Sequence, residues 1–189
     1  MARVPVLVFV ALWVTAMAAY PGWNAFDETS VGHDFFRNFL CDLLSVETPD
    51  GRANVASAAA LSTGMVILVV GALLPMWWSA PLAGKALTTC RALAVLSTAL
   101  TILICIEQVF ALPLSHNVIT LTAGAVALVP TAIVAWTDWK SDYATPVRRA
   151  LLTLLLAAAM TNFVSYALAQ FGTPMTIVVP ATQKVALLG

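Results

Sequence analysis

The sequence predicts an all-α polytopic membrane protein, a helix bundle of about six spans with an amphipathic interfacial helix in its first loop. Three observations carry that reading. Of its residues 61% are hydrophobic and only 10% charged, with a mean hydropathy of +0.92, well outside the mix of a soluble globular domain. The apolar residues fall in runs close to or above the roughly 20 that a bilayer requires, broken by turns rich in Pro, Gly and polar residues. The charges are sorted by place: six of the nine acidic residues lie between Pro21 and Arg52, while six of the nine basic ones lie at or near the ends of the apolar runs on one side. A formal net charge of zero leaves no electrostatic footprint for a nucleic acid.

Taken in order, the first run, MARVPVLVFVALWVTAMAAY, imitates a secretory signal, with Arg3, an apolar stretch and Ala16-Met17-Ala18 as a cleavage-like site. We read it as a first transmembrane helix over about 4–20, stopped by the turn chemistry of Pro21-Gly22. The acidic connection follows, and within it Gly32 to Ser45 (GHDFFRNFLCDLLS) is the one polar-rich amphipathic segment. As a helix over 32–45 it places Phe35, Phe36, Phe39, Leu40, Leu43 and Leu44 on one side. Asp34, Arg37, Asn38, Cys41 and Asp42 fall on the other, with Asp34 three and four residues from Arg37 and Asn38. Too short to span, such a helix lies at the interface. Pro49-Asp50-Gly51 turns the chain back.

The second span, about 53–78, carries small residues including Gly64 and Gly71, which let helix backbones approach closely, and it exits at Trp77 and Trp78. The third covers about 87–112 before Pro113. The fourth, about 118–139, ends in Trp136 and Trp139, as an aromatic interface belt does. The fifth covers about 147–171, up to Gly172-Thr173-Pro174, and a sixth, thin span is expected over 174–189, giving a single transmembrane domain over 1–189. Arg3, Lys85, Arg91, Lys140, Arg148 and Arg149 share one side, which the positive-inside rule makes cytoplasmic. The N- and C-termini then lie in the cytoplasm, and the acidic loop and the His116 turn face outward. No internal repeat is visible.

Ionisable residues inside a bilayer are costly and default to functional candidates. Glu107 lies roughly 7–8 Å deep and Lys184 about 15 Å, at 1.5 Å per residue, so the two are candidates for a buried pair or a shared outward pocket. Asn162, Gln183 and Gln108 extend the polar lining, or simply bond helix to helix. His33 and His116, both at the outer edge, are the candidate metal ligands together with Asp34, Asp42, Cys41 or Glu107, though no HxxxH or HExxH spacing supports a site, and no cofactor is expected. Cys41, Cys90 and Cys105 form no CxxC pair, which argues against a zinc ribbon or thiol-exchange enzyme. They read as packing cysteines, with a Cys41–Cys105 disulfide as the alternative.

Tyr20-Pro21-Gly22-Trp23 followed by Asn38-Phe39-Leu40-Cys41-Asp42-Leu43-Leu44 resembles the bacterial membrane-protein family catalogued as domain of unknown function 998. That family joins a first span to a YPG-like turn, an N-x-x-(S/C)-D-L segment and several further spans, and Gln183-Lys184 is similar to its late Q-(R/K) pair. The family is in turn distantly similar to the Frag/DRAM/Sfk group of six-span membrane proteins. The resemblance implies a bacterial plasma-membrane setting and draws Asn38, Asp42, Gln183 and Lys184 into one outward-facing constellation; it implies no activity.

Three functions follow as expectations. The first is a binder of a membrane lipid or other small amphiphile, with Asp34, Arg37, Asn38 and Asp42 on the head group and Glu107 and Lys184 as deeper charges. The second is a structural or regulatory partner of another membrane protein or of a second copy, using the small-residue faces of the second span. The third is a metal-assisted intramembrane hydrolase built on His33 and His116.

Overall fold

The computed structural model describes residues 3–79, 82–110, 112, 115–142, 145–171 and 177–188. Of the expected turns, Pro81, Pro113 and Gly172-Thr173-Pro174 lie outside these residues, as does the start of the expected last span.

Four helices are long and apolar enough to cross a membrane. The first comprises α3 (Val55–Leu68), a π-helical turn (Val69–Leu73) and α4 (Leu74–Trp78), continuous over 24 residues. The others are α5 (Gly84–Phe110), α6 (His116–Trp139) and α7 (Pro146–Gln170). An apolar α1 (Arg3–Ala19) of 17 residues precedes them. The sixth span is not matched in length: α8 (Val178–Leu188) has 11 residues, about 16 Å at 1.5 Å per residue, half of a roughly 30 Å hydrocarbon core. Leu7, Val95, Leu151 and Leu154 are exposed along these helices, a surface that lipid solvates and water does not.

The core sits where α1 crosses α3. Phe9, Trp13 and Ala16 of α1 pack with Leu61 and Leu68, and Leu40, Leu43 and Leu44 close the cluster from above. Small residues make the crossing: a Cβ on Gly64 would meet Phe9 and Leu12 at 3.2–3.3 Å, and one on Gly71 would press to 2.9 Å from the Pro5 ring. The small-residue face expected to receive a partner protein is therefore occupied by α1 of the same chain.

The acidic connection is more structured than its sequence suggests. A two-stranded antiparallel hairpin, β1 (Gly22–Asn24) and β2 (Asp27–Val31), opens it. Asn24 shapes the turn, its Oδ1 accepting from Phe26 N at 2.9 Å and its Nδ2 donating to Ser30 Oγ at 3.0 Å. Gly22 has a φ of 122°, and a Cβ there would lie 2.3 Å from Ser30 O, so glycine alone fits. Arg52 Nη1 donates to Pro21 O at 2.9 Å and holds the base of the hairpin.

The amphipathic helix over 32–45 does not form as one piece. Asp34 Oδ1 accepts from Phe36 N (2.8 Å) and Arg37 N (3.2 Å), and Asn38 Oδ1 accepts from Asp34 N at 2.8 Å. These side-chain bonds close a single turn in place of a helical ladder. The chain is extended at Phe39 (φ −78°, ψ 161°), and only α2 (Leu40–Leu44) is helical. The break turns Phe36 out to solvent while Phe39, Leu40, Leu43 and Leu44 stay buried.

At the opposite end of the bundle Arg91 lies 4.7 Å over the Trp78 ring and Lys140 4.5 Å over Trp136. Arg148 bonds both carboxylate oxygens of Asp138 at 2.6–2.7 Å. Tryptophans and basic residues thus share one belt, the pattern of a membrane–water interface.

Candidate functional site

Two polar clusters meet on α2. The first joins α2 to α8. Lys184 Nζ, with no exposed surface, donates to the carbonyls of Phe35 and Asn38 and lies 5.0 Å over the Phe35 ring. Gln183 Oε1 accepts from Leu40 N at 2.9 Å. Asp42 Oδ2 accepts from Phe39 N at 2.8 Å, the backward half of a capping box, and from Asn38 Nδ2 at 3.0 Å. Asn38 Nδ2 also reaches Trp23 O at 2.7 Å. Burial pushes the Asp42 carboxyl above the usual carboxylate range, although these bonds pull the other way.

The residues expected to form one constellation, Asn38, Asp42, Gln183 and Lys184, do come together. Their hydrogen bonds are directed at each other and at the backbone, however, so the cluster is a clamp rather than an open head-group pocket. Asp34 and Arg37 remain at its rim, with Arg37 Nε 3.8 Å from Asp34 Oδ2 and both side chains well exposed. Asn162 is half-buried on α7 and joins neither cluster.

The second cluster brings together His116, Glu107 and Cys41, which the sequence offered only as possible metal co-ligands. Glu107, near the end of α5, is buried, and its Oε2 lies 2.8 Å from Nδ1 of His116, the first residue of α6. Gln108 Nε2 donates to the same Oε2 at 2.7 Å. On the other side of the ring, His116 Nε2 lies 3.1 Å from Cys41 Sγ and 3.4 Å from Thr120 Oγ1. Gln108 Nε2 lies 2.8 Å from the same Nδ1. A carboxylate only accepts, so the tautomer protonated at Nδ1 bonds Glu107 and turns the Nε2 lone pair to the thiol, whereas the tautomer protonated at Nε2 takes the Gln108 donor at Nδ1. The result is a line of three groups, Glu107, His116 and Cys41, drawn from α5, α6 and α2.

This arrangement corrects two expectations. Glu107 and Lys184 do not pair, because Glu107 takes His116 and Lys184 takes two backbone carbonyls. The histidines do not build a metal site either: among the described residues no three His, Cys, Asp or Glu side chains gather around a common point. In the His116 cluster the acid and the thiol sit on opposite ring nitrogens and do not converge. His33 stands edge-on to Tyr20 with ring centroids 6.1 Å apart; burial, and secondarily the Lys184 charge, push its imidazole down to about 4, so it is neutral. Cys41, Cys90 and Cys105 are all free thiols.

Burial pushes the Cys41 thiol up to about 12. It rests protonated, and only transfer of its proton to His116 would make it a nucleophile. The sequence hint was slight: Glu107 in an apolar run and His116 nine residues on. Nothing in the spacing pointed to Cys41, 75 residues away.

A groove of about 350 Å³ runs between α3 and α5, lined by Val66, Ile67, Ile102, Ile106 and Val109 with Ser62 and Cys105, and none of the cluster residues lines it. Its α5 wall ends in the same helical turn as Glu107 and Gln108. No family model, curated protein or solved structure matches the chain.

Proposed function

We propose that this integral membrane protein binds a lipid or similar amphiphile with its acyl chain in the α3/α5 groove and its head beside His116, Gln108 and Cys41. The observation that carries this reading is the groove itself. It is lined almost wholly by apolar side chains of two membrane-crossing helices, and its α5 wall, through Ile106 and Val109, flanks Glu107 and Gln108 in sequence. Asp34 and Arg37, exposed on the same end, would meet a head group at the rim.

The positive-inside rule supports an orientation with the tryptophan and basic belt in the cytoplasm and the hairpin end outward. In that orientation α1 would be a fifth crossing and α8 a half-inserted helix clamped against α2, with both termini on the cytoplasmic side only if α8 completes its path. Membership of the 998 family is part of the same proposal, supported by the meeting of Asn38, Cys41, Asp42, Gln183 and Lys184 around one short helix.

The test is native mass spectrometry of the protein released gently from its membrane. A discrete lipid-sized adduct is expected on the wild type, weakened at least tenfold in Ile102→Trp, which fills the groove. Equal lipid retention in both, or none in either, would sink the groove as the site. A mass of two chains without lipid would favour the second-copy reading, for which the exposed apolar face of α7 is the available surface.

A further inference from the structure

Three side chains from three elements fall into the order acid, imidazole, thiol. Oε2 of Glu107 is 2.8 Å from Nδ1 of His116, and Nε2 of the same ring is 3.1 Å from Sγ of Cys41. The carboxylate is only 8% exposed and the imidazole 20%, so both are removed from competing water, while Cys41 keeps a partly exposed surface. A packing cysteine needs no imidazole, and an interhelical Glu–His bond needs no thiol. The linear order is what nucleophilic thiol catalysis requires: a base on the nucleophile and a third group that fixes the base's tautomer.

We propose that Cys41 is an acyl-accepting nucleophile, with His116 as its general base and Glu107 as a positioning residue. Its donor is the ester-linked acyl chain of the lipid bound in the α3/α5 groove. The donor assignment rests on the lipid-binding reading; the nucleophile does not.

The chemistry balances without any oxidant or metal. His116 Nε2 removes the Cys41 S–H proton as Sγ attacks the carbonyl carbon of the ester. The tetrahedral adduct collapses with breakage of the C–O bond, and the departing alkoxide takes the proton back from Nε2. The products are a thioester on Cys41 and a lipid bearing a free hydroxyl. In the second half water, or the hydroxyl of another lipid, gives its proton to Nε2 and attacks the thioester. The C–S bond breaks, the thiolate recovers the proton, and the chain leaves as a fatty acid or as a new ester. Proton transfer in the transition state suits a thiol that burial keeps protonated at rest, and it contributes typically about 100-fold or more.

The experiment uses the full chain in vesicles of phosphatidylcholine carrying an ω-alkyne palmitoyl ester, with 4-nitrophenyl acetate as a soluble ester that needs no groove. The expected result is an alkyne adduct on the Cys41 peptide, cleaved by neutral hydroxylamine, together with released alkyne fatty acid. Both vanish in Cys41→Ala and fall about 100-fold in His116→Gln. Glu107→Ala slows both, and Glu107→Asp restores most of the rate, a rescue that a carboxylate holding only helices together would not produce.

Cys41→Ser keeps the shape of the side chain, so its unchanged thermal midpoint guards against a folding artefact. Acetylation of Cys41 without acyl transfer from the vesicles would overturn the lipid as donor and leave the nucleophile standing. Lipid retained in the groove with no reaction of Cys41 toward either ester would overturn the nucleophile and leave the binding reading intact.

Discussion

Replacing Lys184 by methionine removes the charge while nearly keeping the length and volume of the side chain, and its cost can be worked from the bonds it makes. Two carbonyl oxygens, of Phe35 and Asn38, lose their shared donor. Each buried acceptor left without a partner costs about 1–3 kcal/mol, and the cation–π contact with Phe35 adds about 1 kcal/mol. Against this, the fold no longer has to hold a fully buried ammonium, which offsets part of that loss. The net expectation is a loss of about 2–4 kcal/mol, concentrated where α8 meets α2 because the Gln183 bond to Leu40 is the other strong tie between them. Denaturant unfolding in micelles reads the total, and hydrogen exchange of the α8 amides reads the place. A loss below about 0.5 kcal/mol with unchanged α8 exchange would mean that the ammonium is solvated in the membrane and does not plug the turn.

Gly71→Leu should lower stability by about 1–3 kcal/mol, because the rigid Pro5 ring already stands 2.9 Å from where the Cβ would go. An unchanged thermal midpoint would contradict the close α1–α3 approach. His33, pushed down to about 4 by burial, is neutral in the fold but protonates near 6.5 in the unfolded chain. Between those values the unfolded chain binds more protons, so the stability His33 contributes is complete above about 6.5 and is lost as pH falls toward 4. After allowance for its partial exposure this amounts to about 1–2 kcal/mol. His33→Gln should flatten that limb of the stability profile, and identical slopes in the two proteins would refute it. Asp42 works in the opposite sense, its raised carboxyl favouring the fold at the acid end, so the comparison between variant and wild type isolates the histidine.

The membrane helices were legible because lipid imposes a simple rule, long apolar runs broken by turn residues, and α3 to α7 follow it. Gly64 and Gly71 announced a close helix crossing, though not that its occupant would be α1. The helix over 32–45 was misread for a physical reason visible in its own residues. Asp34 and Asn38 offer their side chains to backbone N–H groups two to four residues away, and that local capture outweighed an apolar periodicity which fitted a helix. The hairpin was hidden because its strands are short and polar, with Gly22 and Asn24 as the only turn signals. Lys184 and Glu107 stood out as charges within apolar runs, and both are buried. Their partners were not readable, since backbone carbonyls leave no trace in sequence and His116 is adjacent to Glu107 only after the α5–α6 turn has closed.

The two clusters are not independent, because α2 cannot hold itself. Five residues lie far below the length at which a helix persists alone, so its position is set by what grips it. Ser57 Oγ donates to Leu43 O at 3.1 Å and Asn54 Nδ2 to Asp42 O at 3.1 Å from the α3 side. Gln183 takes the Leu40 N–H from the α8 side, and Asp42 folds back on Phe39. Cys41 lies between these anchors, one residue from each of the groups that Gln183 and Asn54 hold. A thiol within 3.1 Å of an imidazole on another helix tolerates little displacement, since the S–H···N contact weakens steeply with misalignment. The residues expected to hold a head group hold the chain instead: the buried lysine and its neighbours fix the short helix, and the short helix sets the thiol against His116.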